Sequence, residues 1–457
     1  MDAERPDLLV IGGGAAGLAA ALEAAETGAD VLLLEKQPEL GGSSAMCGGC
    51  LAFAGTDLQR AQGIEDSAAL LASDLRQVGG GEADEALIAA YADNQLATYE
   101  WLRAHGMEVS PALEASAGQS VPRVHNVDPA DLIRLLAARC RATGRVRIET
   151  GVPVRRLLRH AGGRVKGVLA ERGSAEAELR APRGVVLASG GFSRDEALVH
   201  RFAPECAEAL FIGGEGNTGD GLRMAWSLGA DFRDMAHIKG TFGKHPTDET
   251  NHHSCLAVYK GAIAVNQDGH RFVDESLSYK LLGAACLRQP YGSAFQILDR
   301  SILESGDDRV RILDFRRRLE EGLMLQADTL EELADAIEVP RDALQATVAE
   351  YNGFVDAGED GAFGRRHLVH NHGALVRIET APFYAYPSTA AVYGTYCGLT
   401  VDAEMRVRDV FGAGIDGLFA AGEVVGGLHG AAYMTGSAFG KALIFGRIAA
   451  RTALGRN

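Results

Sequence analysis

Apolar residues in the first forty positions fall into two short unbroken runs, Leu8 to Ile11 and Val31 to Leu34, separated by an alanine-rich stretch. Such runs predict buried strands, and the alanine-rich stretch, ending near Thr27, predicts a helix. Farther along, apolar residues recur at three- and four-residue spacing over 82–104 and 129–142, which predicts two amphipathic helices. The segments 145–150, 164–170, 184–188 and 416–421 predict further strands, the last two running into small residues. Between 232 and 370 the pattern changes, with charged helices predicted over 308–319 and 329–354 around a mixed middle. After 370 the first pattern returns, and neither tandem repeats nor low-complexity linkers interrupt it.

Gly12-Gly13-Gly14-Ala15-Ala16-Gly17 closes the first predicted strand and opens the helix, and the second strand ends in Glu35. A lone Gly-x-Gly-x-x-Gly carries little weight, but strand, turn, helix and a later acidic strand end supply the context a dinucleotide site requires. Gly12 permits the tight turn, Gly14 admits a pyrophosphate, Gly17 lets helix pack on strand, and Glu35 can accept ribose hydroxyls. The next residues, Lys36 and Gly41-Gly42-Ser43-Ser44, resemble the loop of FAD-binding flavoproteins rather than that of nicotinamide dehydrogenases, which implies FAD. The expected fold is α/β. A Rossmann-like FAD-binding domain, discontinuous over 1–231 and 371–457, is interrupted by an inserted α+β capping or substrate domain over 232–370.

Composition narrows the partners. Lys plus Arg number 45 against 61 Asp plus Glu, a formal charge of −16 that repels nucleic acid and anionic membrane surfaces. Glycine, at 57 of 457 residues, is well above the usual share of about 7% without a collagen period, and suggests backbone closely approached by something. Cysteines at 47, 50, 140, 206, 255, 286 and 397 are odd in number and mostly scattered, which fits reduced thiols better than a disulfide framework. The start, Met1 to Pro6, lacks a basic leader, and no apolar stretch reaches the roughly 18 residues of a membrane span. A cytoplasmic protein without metal ligation is expected.

Further motifs include Val185 to Gly191, Gly216-Asn217-Thr218-Gly219-Asp220-Gly221, His245-Pro246-Thr247, Gly269-His270-Arg271-Phe272-Val273-Asp274-Glu275, Ala421-Gly422-Glu423 and His429-Gly430. In this order, with the N-terminal glycines, they resemble the fumarate reductase and succinate dehydrogenase flavoprotein superfamily, which also holds urocanate reductase and 3-ketosteroid dehydrogenases. The resemblance implies a cofactor shell of Gly12, Gly14, Ala15, Ala16, Gly17, Glu35, Lys36, Gly41, Gly42, Ser43, Ser44, Gly48, Gly49, Val154, Ser189, Gly190, Gly191, Asn217, Thr218, Asp220, Gly221, Gly422, Glu423, Gly436, Ser437 and Ala438. Ser44 stands where covalent members resembling this chain carry the flavin-linking His, so non-covalent FAD is implied. The chain lacks a Cys-x-x-Cys-His haem motif, so electrons are expected to leave to an external acceptor such as oxygen, a quinone or an electron carrier.

The chain departs from fumarate reductases at the substrate. Their proton-donating Arg, four residues past the motif Glu, corresponds to Tyr279, and their carboxylate-binding Arg, four past the motif His, to Tyr433. Their His-Thr-Met-Gly-Gly segment corresponds to Gly394-Thr395-Tyr396-Cys397-Gly398, without the His. Each lost cationic contact removes about 1.5–3 kcal/mol, so a dicarboxylate is not expected. Tyrosine at both arginine positions resembles 3-ketosteroid dehydrogenases. The resemblance implies that Tyr433 hydrogen-bonds a ketone oxygen and Tyr279 removes the α-proton while flavin N5 takes hydride from the β-carbon. Tyr393, Tyr396 and His245 are candidate partners of Tyr279. Arg123, His125 and Arg377 are unassigned cations, each expected at the surface and each able in principle to bind a carboxylate of a ring such as an oxocyclohexanecarboxylate.

The expected activity is α,β-dehydrogenation of a cyclic ketone, either a ketosteroid or a smaller ring. Two alternatives stay open at this point: ene-reduction of an α,β-unsaturated carbonyl compound, and a flavin-linked thiol relay at Cys47-Gly48-Gly49-Cys50.

Overall fold

The structure is a computed structural model that describes residues 5–238, 240–247 and 253–456. Met1 to Glu4 of the start discussed above lie outside the described residues. The first predicted strand is Leu8–Ile11, followed by the helix Ala15–Glu26 and the strand Val31–Leu34. These open a six-stranded sheet in which Val146–Glu149, Val31–Leu34, Leu8–Ile11, Val185–Leu187 and Gly414–Ala420 run parallel, with Arg406–Arg408 antiparallel at one edge. Every side chain of Leu8–Ile11 and Val31–Leu34 is buried, as a sheet covered on both faces demands.

Small residues set the helix packing over this sheet. A Cβ on Gly17 would stand 1.9 Å from Gly12 O, and one on Gly446 of the helix Ser437–Ala453 would stand 2.3 Å from Ala16 O. The two helices therefore cross at backbone contact, which only glycine allows. Glu85–Ala104 is capped by Asp84, and Pro129–Ala142 by Asp128 with Pro at its first position, so both predicted helices start on ordinary N-cap chemistry.

A second sheet builds the cap. Its central strand is Phe383–Val392, which pairs with Ser293–Asp299, Leu210–Phe211, Thr241–Lys244 and Leu325–Ala327, while Ile263–Val265 adds to Ser293–Asp299. Phe383–Val392, which lies after the expected return to the nucleotide-binding part at 371, is paired into this second sheet along its whole length. We propose that the second crossing between domains falls after Val392. Two predicted helices also change. The stretch 308–319 holds the 3-10 turn Arg311–Leu313 and a short helix, Phe315–Glu320. The stretch 329–354 splits into Leu330–Ala336 and Arg341–Ala357, because Pro340 caps the second helix and Glu338 takes a left-handed φ of 57°. Among the described residues no helix is long and apolar enough to cross a membrane.

Candidate active site

The glycine loops converge on one cleft between the two sheets. Ser44 Oγ accepts a hydrogen bond from Ala15 N at 3.2 Å, Gly41 N donates to Gly13 O at 3.0 Å, and Gly214 N donates to Ser43 Oγ at 3.0 Å. Glu35 accepts from Gly13 N at 2.7 Å and from Gln37 N at 2.8 Å. Lys36 Nζ reaches Thr218 Oγ1 at 2.7 Å and Asp220 Oδ2 at 2.6 Å, tying the acidic strand end to the Gly-Asn-Thr-Gly-Asp-Gly loop.

On the other side Glu423 is an anchor. Its Oε1 accepts from Asn217 Nδ2 at 3.0 Å and from Thr395 N at 2.9 Å, so one carboxylate fixes the glycine loop and the loop that carries Tyr393 and Tyr396. A Cβ on Gly191 would lie 2.2 Å from Thr395 Oγ1 and 2.5 Å from Glu423 Oε1, which explains the glycine.

This cleft fits a dinucleotide. Gly12, Gly14, Ala15, Ala16, Glu35, Lys36, Gly41 to Ser44, Gly48, Val154, Ser189, Gly190, Asn217, Asp220, Gly422, Glu423 and Ala438 line it. A Cβ on Gly14 would fill the cleft side of the helix start, touching Ser44 Oγ at 3.4 Å and Gly41 O at 3.5 Å, and Ser189 Oγ, also at the cleft, is buried with no partner among the described residues. Seven expected contacts, Gly17, Gly49, Gly191, Thr218, Gly221, Gly436 and Ser437, stand behind the lining instead. Gly221 backs onto Ser189 Oγ, Gly49 onto Val127 O and Gly436 onto Ala52 N, while Ser437 Oγ donates to Met434 O at 2.7 Å.

The four tyrosines meet at the same cleft. Tyr279 is the first residue of the helix Tyr279–Leu287, and the buried ion cluster of Arg271, Glu275 and Asp360, with contacts of 2.6–2.9 Å, holds the loop that delivers it. Ser278, the N-cap, donates to Tyr433 O at 2.9 Å, coupling the two tyrosine segments. The ring of Tyr279 lies 5.6 Å from that of Tyr433, and Tyr433 stacks on Tyr396 at 4.8 Å. Tyr433 Oη accepts from Gly436 N at 2.9 Å, and the Tyr279 hydroxyl is hydrogen-bonded to Tyr433 and Thr435. Tyr396 sits at φ 55°, a strained conformation for an aromatic residue, with Lys280 Nζ 4.3 Å from its ring centre. Tyr393 Oη pairs with Ser254 Oγ at 3.0 Å. Burial pushes the phenols of Tyr279, Tyr396 and Tyr433 well above their usual range, and for Tyr279 its two neighbouring tyrosines add to the shift.

The unassigned cations are not here. Arg123, expected at the surface, is fully buried between Asp66 and Asp74 at 2.7 Å from each. His125 is buried against Thr56 Oγ1 at 2.9 Å, and burial lowers its pKa to about 4. Arg377 is on the surface with Asp356 and Glu379. His245 packs on Tyr386 at 5.6 Å and is not among the lining residues. Sequence reasoning missed Arg311 and Lys441, both of which line the cleft. Lys441 donates to Val425 O at 2.8 Å, and burial lowers its pKa to about 8. It is the lone charge between Ser437 and Gly446, the apolar first half of its helix, a legible signal of burial; Arg311 lies in an arginine-rich stretch that marks no single member.

Cys47 and Cys50 line the cleft as free thiols. Burial raises Cys47 to about 11 and Cys50 to about 12, which keeps both protonated at neutral pH and disfavours the thiolate a relay needs.

A parallel dinucleotide sheet facing a cap that presents its reactive side chains to the same cleft defines a flavin-dependent oxidoreductase of carbon–carbon single and double bonds. The model of the FAD binding domain family matches residues 7–438, and the chain belongs to that family, within its fumarate reductase and succinate dehydrogenase flavoproteins. It is 30% identical over 456 residues to a probable fumarate reductase of Shewanella frigidimarina, covering 98% of this chain and 74% of that protein. It is 29% identical over 479 residues to the vinyl phenol reductase of Lactiplantibacillus plantarum, covering 98% and 96%. Among solved structures, the 3-ketosteroid-Δ4-(5α)-dehydrogenase of Rhodococcus jostii RHA1, in complex with 4-androstene-3,17-dione, superimposes with a TM-score of 0.79 at 27% identity, covering 98% and 96%. The chain binds FAD.

Proposed function

We propose that this chain interconverts a saturated cyclic ketone and its α,β-unsaturated form at non-covalently held FAD, acting as an α,β-dehydrogenase. The observation that carries this reading is the Tyr279–Tyr433 pair in the cleft, where the family's dicarboxylate enzymes are expected to place arginines. Tyr433 Oη accepts from Gly436 N, so its position is fixed and its own proton is available to a ketone oxygen. As charge moves onto that oxygen the α C–H grows acidic, and Tyr279, bonded to Thr435 and Tyr433, takes the α-proton. FAD, when bound, supplies the two-electron acceptor for the hydrogen leaving the β-carbon. The α-hydrogen thus departs as a proton, the β-hydrogen with its electron pair, a C=C bond forms, and an external oxygen, quinone or electron carrier takes the electrons onward. The similarity to the Rhodococcus ketosteroid dehydrogenase supports this direction.

The reverse reaction is the second reading. Burial keeps Tyr279 protonated, the form that donates to an α-carbon during C=C reduction, and two relatives are reductases by name. The free thiols suit a cytoplasmic setting. Anaerobic titration of the oxidised flavoprotein with ketosteroids, cyclohexanones, oxocyclohexanecarboxylates and succinate tests the reading. Bleaching of the flavin by a cyclic ketone is expected; bleaching by succinate alone overturns it.

A further inference from the structure

Arg311 is a cleft residue that this chemistry leaves unused. It stands on the cap's 3-10 turn Arg311–Leu313, half-buried, where Leu256 N donates to Ile312 O at 3.0 Å and fixes the turn. Its Nη2 donates to the carbonyls of Met46 and Cys47 at 3.1 and 3.2 Å. These two contacts orient the guanidinium without neutralising it, and three of its five N–H donors are on Nε and Nη1.

The arginines buried inside this protein, more enclosed than Arg311, have carboxylates. Arg123 has Asp66 and Asp74, Arg271 has Glu275 and Asp360, Arg318 has Glu321, Arg365 has Glu275, and Arg447 has Glu23. Among the described residues Arg311 forms no such ion pair, although it is half-buried at the cleft, where an unpaired charge is less well solvated than on the open surface. Of the other lining cations, Lys36 pairs with Asp220 at 2.6 Å, and Lys441 donates to Val425 O at 2.8 Å with the Glu423 carboxylate favouring its charge. Arg311, Cys50, Tyr279, Tyr396 and Tyr433 line one cleft, so the guanidinium and the phenols bound one compartment.

We propose that Arg311 binds a carboxylate of the substrate, and that the substrate is a cyclic ketone bearing one acid group on the side of the ring away from its ketone. This rests on the reading of the tyrosine pair given above, which sets the ketone at Tyr433. A single guanidinium without an ion pair among the described residues matches a monoacid, where a dicarboxylate would need a second.

Binding can be read without turnover in FAD-loaded Tyr279→Phe, from the perturbation of flavin absorbance by 4-oxocyclohexanecarboxylate and by its methyl ester. The acid is expected to bind at least about 10-fold more tightly than the ester, and Arg311→Met in the same background to reduce that preference roughly 10- to 100-fold. Arg311→Lys should restore part of it, since it keeps the charge and loses the fork. Because the readout is a ratio between two ligands, a general loosening of the cap moves both and leaves it unchanged. Equal affinity for acid and ester, or a preference that survives Arg311→Met, overturns the assignment. A retained acid preference with no flavin bleaching in the unsubstituted protein would uphold Arg311 and remove the dehydrogenase reading instead.

Discussion

Tyr396 stacks on Tyr433 with ring centres 4.8 Å apart and planes at 29°, although the two belong to different loops and Tyr396 must adopt a left-handed backbone to reach it. The stack and Tyr279, whose ring lies 5.6 Å from that of Tyr433 at a tilt of 46°, group three neutral aromatic rings in one cleft. Such a cluster suits a flat, uncharged part of a substrate, and its hydroxyls suit a ketone.

Tyr279→Phe and Tyr433→Phe remove one hydroxyl each and leave both rings packed. Each variant should keep its yellow colour and lose flavin reduction by roughly 10²–10⁴-fold, the usual size of a general acid–base contribution. Anaerobic stopped-flow bleaching measures this, and near-normal rates in both variants would remove the assigned roles.

The raised phenols predict different pH behaviour for the two reaction directions. A group whose pKa lies well above its usual range of about 10 keeps its proton throughout the neutral region. Ketone dehydrogenation needs Tyr279 to lose that proton, so its rate should rise about tenfold per pH unit from pH 7 to 9 where proton removal limits it. Reduction of the corresponding enone needs the proton present and should be flat over the same range. A pH-independent dehydrogenation rate would exclude Tyr279 as the base.

His125 predicts a loss of stability in acid. Burial lowers its pKa from 6.5 to about 4, so below pH 6.5 the unfolded chain takes up a proton that the folded chain refuses. The stabilisation is complete above pH 6.5 and is lost as pH falls toward 4, on the order of 3 kcal/mol. Thermal melts across pH 4–7 should show this decline, and His125→Gln should flatten part of it.

Gly191→Ala should weaken FAD retention. The added methyl would press on Thr395 Oγ1 and Glu423 Oε1, the junction between the glycine loop and the tyrosine loop. Overpacking of this kind costs about 1–3 kcal/mol, and the fraction of flavin retained after gel filtration reads it. Full retention would show that the junction can shift without consequence.

Cys47 and Cys50 should behave as inert thiols. With burial holding them near 11 and 12, alkylation by iodoacetamide at pH 7.5 should run more than 10-fold slower than for an ordinary thiol. Fast labelling of both would reopen the relay.

The N-terminal half of the cofactor site was legible in sequence because its determinants are local. Gly12, Gly14 and Gly17 act within one turn, and the apolar runs on either side announce the strands they join. The pair Tyr279 and Tyr433 was legible only through a motif resemblance, since 154 positions separate them and no periodicity links them. Phe383–Val392 escaped assignment for a different reason: an apolar strand reads alike in either sheet, and its partners at 293–299 and 241–244 are chosen by pairing across the fold. Charged residues were hardest to place. Nothing local to Arg123 reveals that Asp66 and Asp74 enclose it, and nothing local to Arg311 reveals that no described carboxylate does. The chain by itself thus determined the nucleotide-binding sheet, because local geometry suffices for it, and through motif resemblance it pointed to the cofactor and to the tyrosines. The tertiary structure decided which charges are spent and which face the cleft, because compensation of a charge depends on neighbours that only folding supplies.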